Sequence, residues 1–146
     1  MIYLLDVNVL IALLDETHIN YEAAHDWFLS KRVTNWATCP LTENGTIRIL
    51  GNPNYVAVNA DSAMIADQLG TLLQVKNHSF WPDELSILDR SIFELTKLTG
   101  HKQVTDLYLA GLAQHNGGKL ATFDQSIPVT ALVKPWSGVL EVIQAN

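Results

Sequence analysis

A chain of 146 residues with 48% hydrophobic and 16% charged side chains is too apolar to stay disordered, and one domain spanning residues 1–146 is expected. Its net charge of −6 excludes broad, non-specific affinity for nucleic acid, because phosphate contacts are made mainly by Lys and Arg. A lone cysteine, Cys39, excludes an intramolecular disulfide, and no apolar run approaches the ~18 residues of a membrane span. The greasy N-terminus imitates a signal peptide, but Asp6 and Asn8 interrupt it and no basic residue precedes them. Mature, cytoplasmic protein in a reducing compartment is the expectation.

Ile2 to Leu5 is an unbroken apolar run, the pattern of a strand buried on both faces. Asp6 follows at once, and Val7 to Leu14 reads as a short apolar helix. A carboxylate between two such runs is costly if buried and unpaired. Asp6 therefore ends its strand at an open edge, caps the helix, or holds a cation. Asp15 to His18 is a polar connection, and Asn20 caps a helix with Tyr21, Ala24, Trp27 and Phe28 on one face. Lys31 and Arg32 suit that helix's negative end.

Asn35 to Thr38 is a short strand, and Pro40 opens a helix carrying Thr42, Glu43, Ile47 and Leu50. Within it, Asn44-Gly45 is a turn signal that argues against the helix. Asn59 or Asp61 opens a further helix with Ile65, Leu69, Leu72 and Leu73 on its apolar side. Ser79 to Trp81 is a brief strand ended by Pro82, and Leu85 to Leu98 reads as a short helix and a connection. Thr105 caps a helix from Asp106 to His115, which Asn116-Gly117-Gly118 stops. Lys119 to Phe123 and Gly138 to Ile143 are the last strands. Strands alternating with helices imply a three-layer α/β domain around a mainly parallel sheet flanked by helices.

Asp6 and Asp124 each follow a strand, while Glu43 and Asp106 each fall in the first turn of a helix. In a parallel α/β layer, strands end and helices begin on the same edge, so topology brings all four acids there. Each alone has a structural explanation, Asp106 and Glu43 at helix N-termini and Asp124 in an Asx-turn with Gln125 and Ser126. Taken together, those explanations weaken. Two carboxylates about 5 Å apart repel by about 3 kcal/mol at an effective dielectric of about 20. Four require protons or divalent cations, and oxygen-only donors suit Mg²⁺ or Mn²⁺, which also meet phosphate oxygens.

The segments Leu4-Leu5-Asp6-Val7-Asn8, Pro40-Leu41-Thr42-Glu43, Val104 to Ala110 and Ala121-Thr122-Phe123-Asp124 occur in order. With Gly100-His101-Lys102-Gln103 ahead of the third, this set resembles PIN domains, and more narrowly the VapC toxins of type II toxin–antitoxin pairs. The resemblance covers essentially the whole chain. It implies a metal-dependent endoribonuclease that leaves 3′-hydroxyl and 5′-phosphate ends, acting on structured RNA such as tRNA or rRNA. By position, Asp6, Glu43, Asp106 and Asp124 match the family's catalytic acids, with Asp6, Asp106 and Asp124 as the metal-holding set for Mg²⁺ or Mn²⁺. Asn8 and Thr122 match its polar supports. It further implies a VapB-like antitoxin as partner, RNA as substrate and a homodimer, with no membrane association.

Two rivals stand beside this reading. A haloacid-dehalogenase-type phosphatase also begins with a strand-terminal Asp, but its Asp-x-Asp signature needs an acid where Asn8 stands. A non-catalytic module would use the acids only to hold a structural ion. A dinucleotide-binding domain is excluded because no Gly-x-Gly-x-x-Gly follows the first strand. His18, His25, His78 and His115 have no zinc-like spacing with one another or with Cys39, which reads as a core residue. Trp27, Trp36, Trp81 and Trp136 read as packing residues, and His101 and Lys102 as a phosphate contact or a solvated loop.

Overall fold

Leu4 and Leu5 are both wholly buried, and because successive strand residues face opposite ways, each enters a different core. In the computed structural model, which describes residues 1–30 and 35–145, they belong to β1, Ile2–Leu5. There follow α1 (Val7–Leu14), α2 (Tyr21–Ser30), β2 (Asn35–Thr38), α3 (Pro40–Leu50), α4 (Ser62–Leu72), β3 (His78–Phe80), α5 (Gln103–His115), β4 (Lys119–Thr122) and β5 (Leu140–Val142). The strands form one sheet in the order β3-β2-β1-β4-β5, and every neighbouring pair is parallel. The expected α/β architecture is present.

Leu4, Ala37 and Leu120 pack against Leu107, Leu109 and Leu112 of α5 on one face of the sheet. On the other face, Leu5, Trp36 and Ala121 meet Val9, Leu10 and Leu13 of α1 and Trp27 of α2. A smaller cluster of Ile11, Leu50 and Ile65 joins α1 to α3 and α4. Full burial of one such aliphatic side chain contributes about 1.5–3 kcal/mol, so the sheet's double covering stabilises its middle strands most. Among the described residues no helix is long and apolar enough to cross a membrane.

Several local expectations change. The Asn44-Gly45 turn signal is overridden: both lie inside α3, and a Cβ on Gly45 would stand 2.9 Å from Val7 Cγ2. Gly45 is there to let α3 approach α1, not to turn the chain. The last long helix begins at Gln103, so Thr105 is not its cap; Lys102 holds that position without a side-chain bond. Gln103 Oε1 instead accepts the Thr99 N–H at 2.8 Å, tying the preceding loop to the helix start. Between Leu85 and Leu98 the only helical piece is a 3₁₀ turn, Leu95–Lys97. Of the two candidate caps for α4, Asp61 serves, accepting Met64 N–H at 2.9 Å. Trp27, Trp36 and Trp81 are buried, whereas Trp136 is 40% exposed and lies outside the core. Lys31 and Arg32 lie outside the described residues. As expected, Gly117 takes φ +69° and ends α5, with Gly118 N–H bonding Ala113 O at 2.8 Å.

Candidate active site

The chain starts in the middle of the sheet, winds outward through β2 and β3, then returns to the other side of β1 as β4. The β1–β4 seam is therefore the switch point of the topology, where α/β folds bind ligands beyond the carboxyl ends of their strands. Asp6 follows β1 there and Asp124 stands two residues past the end of β4.

Asp6 does cap α1, its Oδ1 accepting Val7 N–H at 2.8 Å. It is also nearly buried, at 6% exposure, and its second oxygen reaches across the seam. Oδ2 accepts the Thr122 hydroxyl proton at 2.7 Å, with the Asn8 amide nitrogen 3.5 Å away. That amide donates to Thr122 Oγ1 at 3.1 Å, while Asn8 Oδ1 accepts Phe123 N–H at 3.3 Å. Thr122 Oγ1 also accepts Asp124 N–H at 3.1 Å. Both residues expected as polar supports thus lie against Asp6. Burial raises the Asp6 pKa; Thr122 and Val7 oppose the rise, and the Asp124 carboxylate adds to it.

Asp106 stands in the first turn of α5 and is half-buried. Burial, then the charge of Asp6, then that of Asp124 push its carboxyl up to about 6. Asp124 does form the Asx-turn, Oδ1 accepting Ser126 N–H at 2.8 Å and the Ser126 hydroxyl at 2.6 Å. The three aspartates lie in one another's fields. Glu43 lies in the first turn of α3, after β2, its Oε2 accepting the Thr38 hydroxyl at 2.6 Å. Thr38 Oγ1 lies 2.8 Å from His78 Nε2, and burial lowers the His78 pKa while the Glu43 charge opposes that. Thr38 and His78 escaped the sequence reading because only the β2–β3 register makes them neighbours.

Among the described residues, no three His, Cys, Asp or Glu side chains converge closely enough to form a ready-made ion site. Yet the aspartates plainly couple. A field between carboxylates acts over several ångström, whereas a ligand set needs side chains aimed at one point. An all-oxygen set of this charge is the donor type that hard divalent cations take.

An all-parallel sheet with aspartates at its switch point defines the class, and comparison with known proteins agrees. The PIN domain family model matches residues 3–132, and the chain belongs to that family. Ribonuclease VapC44 of Mycobacterium tuberculosis is 41% identical over 129 residues, covering 88% of this chain and 90% of that protein. Ribonuclease VapC39 of the same organism is 37% identical over 143 residues, 98% of this chain and 100% of its own length. In fold, the chain is similar to the crystal structure of Mycobacterium tuberculosis VapC20, described as a Sarcin-Ricin loop cleaving toxin. The TM-score is 0.61 at 10% identity, covering 91% of this chain and 98% of that one. Membership of the PIN family removes the phosphatase rival.

Proposed function

We propose that this protein is a Mg²⁺- or Mn²⁺-dependent endoribonuclease, the toxin of a type II toxin–antitoxin pair, acting on structured RNA such as tRNA or rRNA. The observation that carries the reading is the placing of three aspartates at the β1–β4 seam: Asp6 and Asp124 follow the two paired strands and Asp106 opens α5, where burial and the other two charges raise its pKa. A protein gains no stability from crowding acids in this way, and perturbed groups in a cleft mark functional sites. The relatives above, named as ribonucleases, support the same chemistry.

Asp6, Asp106 and Asp124 are the residues that would hold the ion, and Glu43 is the fourth acid of the proposed site. When bound, Mg²⁺ or Mn²⁺ supplies Lewis acidity toward a water and a phosphate oxygen. Thr122 and Val7 each occupy one oxygen of Asp6, which orients the carboxylate and leaves its remaining lone pairs to a ligand. Asn8 ties the start of α1 to the end of β4, donating to Thr122 Oγ1 and accepting from Phe123 N–H. Burial and the charges of Asp6 and Asp124 raise the Asp106 pKa, an unfavourable crowding that a bound divalent cation would relieve.

The partners follow from the same reading: a VapB-like antitoxin that brings an Arg or Lys to the acids, and a second copy of the chain in a homodimer. The decisive experiment maps RNA 5′ ends after brief expression and repeats cleavage with purified protein. New 5′-phosphate ends, absent with chelator and with Asp6→Asn, are expected. Cleavage indifferent to both would defeat the proposal.

A further inference from the structure

His78 belongs to no zinc set, yet one hydroxyl links it to the acidic edge. Thr38 Oγ1 lies 2.6 Å from Glu43 Oε2 and 2.8 Å from His78 Nε2. A threonine hydroxyl has one proton, and an ionised carboxylate only accepts. The Thr38 proton is therefore committed to Glu43, and the bond to His78 must run the other way. Nε2 carries a proton and donates it, giving a directed chain from Nε2–H to Oγ1–H to Oε2.

The imidazole is itself held. Its ring sits 4.6 Å from that of Trp36, tilted by 58°. Trp36 is wholly buried, donates its indole N–H to Lys76 O at 3.2 Å, and receives the edge of Phe28 at 5.3 Å. In the sheet, His78 pairs with Trp36, so it stands diagonally from Thr38 on the neighbouring strand. Thr38 has no solvent exposure, so without this chain its hydroxyl has no water to turn to.

We propose that His78 is a positioning residue for Glu43, acting through Thr38 to commit one carboxylate oxygen to the sheet and leave the other for chemistry. The inference rests on the reading of Glu43 as one of the reactive acids. It places the edge strand β3, which carries none of the four acids, in the machinery of the site.

The test has two independent arms. ¹⁵N NMR of the imidazole nitrogens in the intact protein reads the tautomer directly. The Nε2–H form is expected in wild type, and its dominance should be lost in Thr38→Val. The second arm measures RNA cleavage by His78→Ala, Thr38→Val, the double variant, and the donor-retaining His78→Gln and Thr38→Ser. Loss of a partner that orients a ligating side chain costs about 10–100-fold. His78→Ala and Thr38→Val should each lower kcat about 10-fold with little change in KM. The double variant should be no worse than Thr38→Val, and the two conservative variants should recover most of the loss. An Nδ1–H tautomer, or losses that multiply in the double variant, would overturn the chain. Asp106→Asn, run alongside, separates the premises. Wild-type cleavage by Asp106→Asn defeats the reading of the acidic edge as the reactive site, whereas its inactivity beside a fully active His78→Ala defeats only the role of His78.

Discussion

The Thr122 hydroxyl donates to Asp6 Oδ2 at 2.7 Å, joining the end of β4 to the end of β1 across 116 residues of chain. The same oxygen receives the Asp124 amide and the Asn8 side chain, so one hydroxyl organises three residues of the acidic edge. Thr122→Val removes all three bonds without changing shape. Stability should fall by about 1–3 kcal/mol, because buried partners are left unsatisfied. Cleavage should fall about 10–100-fold. Thr122→Ser should stay near wild type in both, as read by urea unfolding and RNA cleavage.

Asp6→Asn and Asp106→Asn should each abolish cleavage and growth inhibition while the protein stays folded. The amide keeps the carboxylate's shape and loses its charge, which is what holds a cation. Circular dichroism beside a cleavage assay checks both halves of the statement. Full cleavage by either variant would remove the metal-site reading.

Stability should fall as pH rises through a window set by Asp106. Its carboxyl titrates near the ordinary 3.8 when unfolded and at about 6 when folded. Between those values the folded state binds more protons, so unfolding free energy declines as pH rises through the window and is flat above it. Asp106→Asn removes this loss. In buffer free of divalent ions it should melt above wild type at pH 7, and the difference should close below pH about 4. A variant that melts lower at both pH values would contradict the assignment.

Mg²⁺ or Mn²⁺ should raise the melting temperature of the wild type by binding the folded state alone. The gain should increase with ion concentration and be much smaller in Asp6→Asn and Asp106→Asn. Equal shifts in all three proteins would place the ions elsewhere.

Away from the site, Asp15 holds the turn after α1. Its Oδ2 accepts the Tyr55 hydroxyl at 2.6 Å, and Oδ1 accepts Thr17 N–H at 3.0 Å and the Thr17 hydroxyl at 2.8 Å. Burial works against the charge, but the bonds from Tyr55 and Thr17 outweigh it and lower the Asp15 pKa. The stabilisation is therefore present above the ordinary carboxylate pKa of 3.8 and fades as pH falls below it. Tyr55→Phe should cost about 1–3 kcal/mol at pH 7 and distinctly less at pH 3, measured by denaturant unfolding.

Much of the site was legible in the chain because it depends on local order. The apolar run before Asp6, the apolar helix after it and the strand before Asp124 place each acid at the end or start of an element. The same holds for Glu43 behind Pro40. Stop and start signals with a purely local mechanism also held, as at Asp61 and Gly117. They need only the neighbouring backbone.

Where a residue's partner lies far off in sequence, the signal was silent or misleading. Asn44-Gly45 reads as a turn until α3 has to pass Val7 closely, and packing then outweighs local preference. The start of α5 slipped from Thr105 to Gln103 because the helix is tied back to Thr99 rather than capped by its own sequence. His78 carried no message of its own, since its neighbours Trp36 and Thr38 are set by strand register. Periodicity alone shows that the strands are buried, and the alternation of strands and helices makes a shared edge for the acids the economical expectation. It cannot show which strand lies beside which, because pairing is a contact between distant segments. Only the folded sheet brings β4 against β1, and that pairing sets Thr122 on Asp6 and Asp106 within the fields of two other carboxylates.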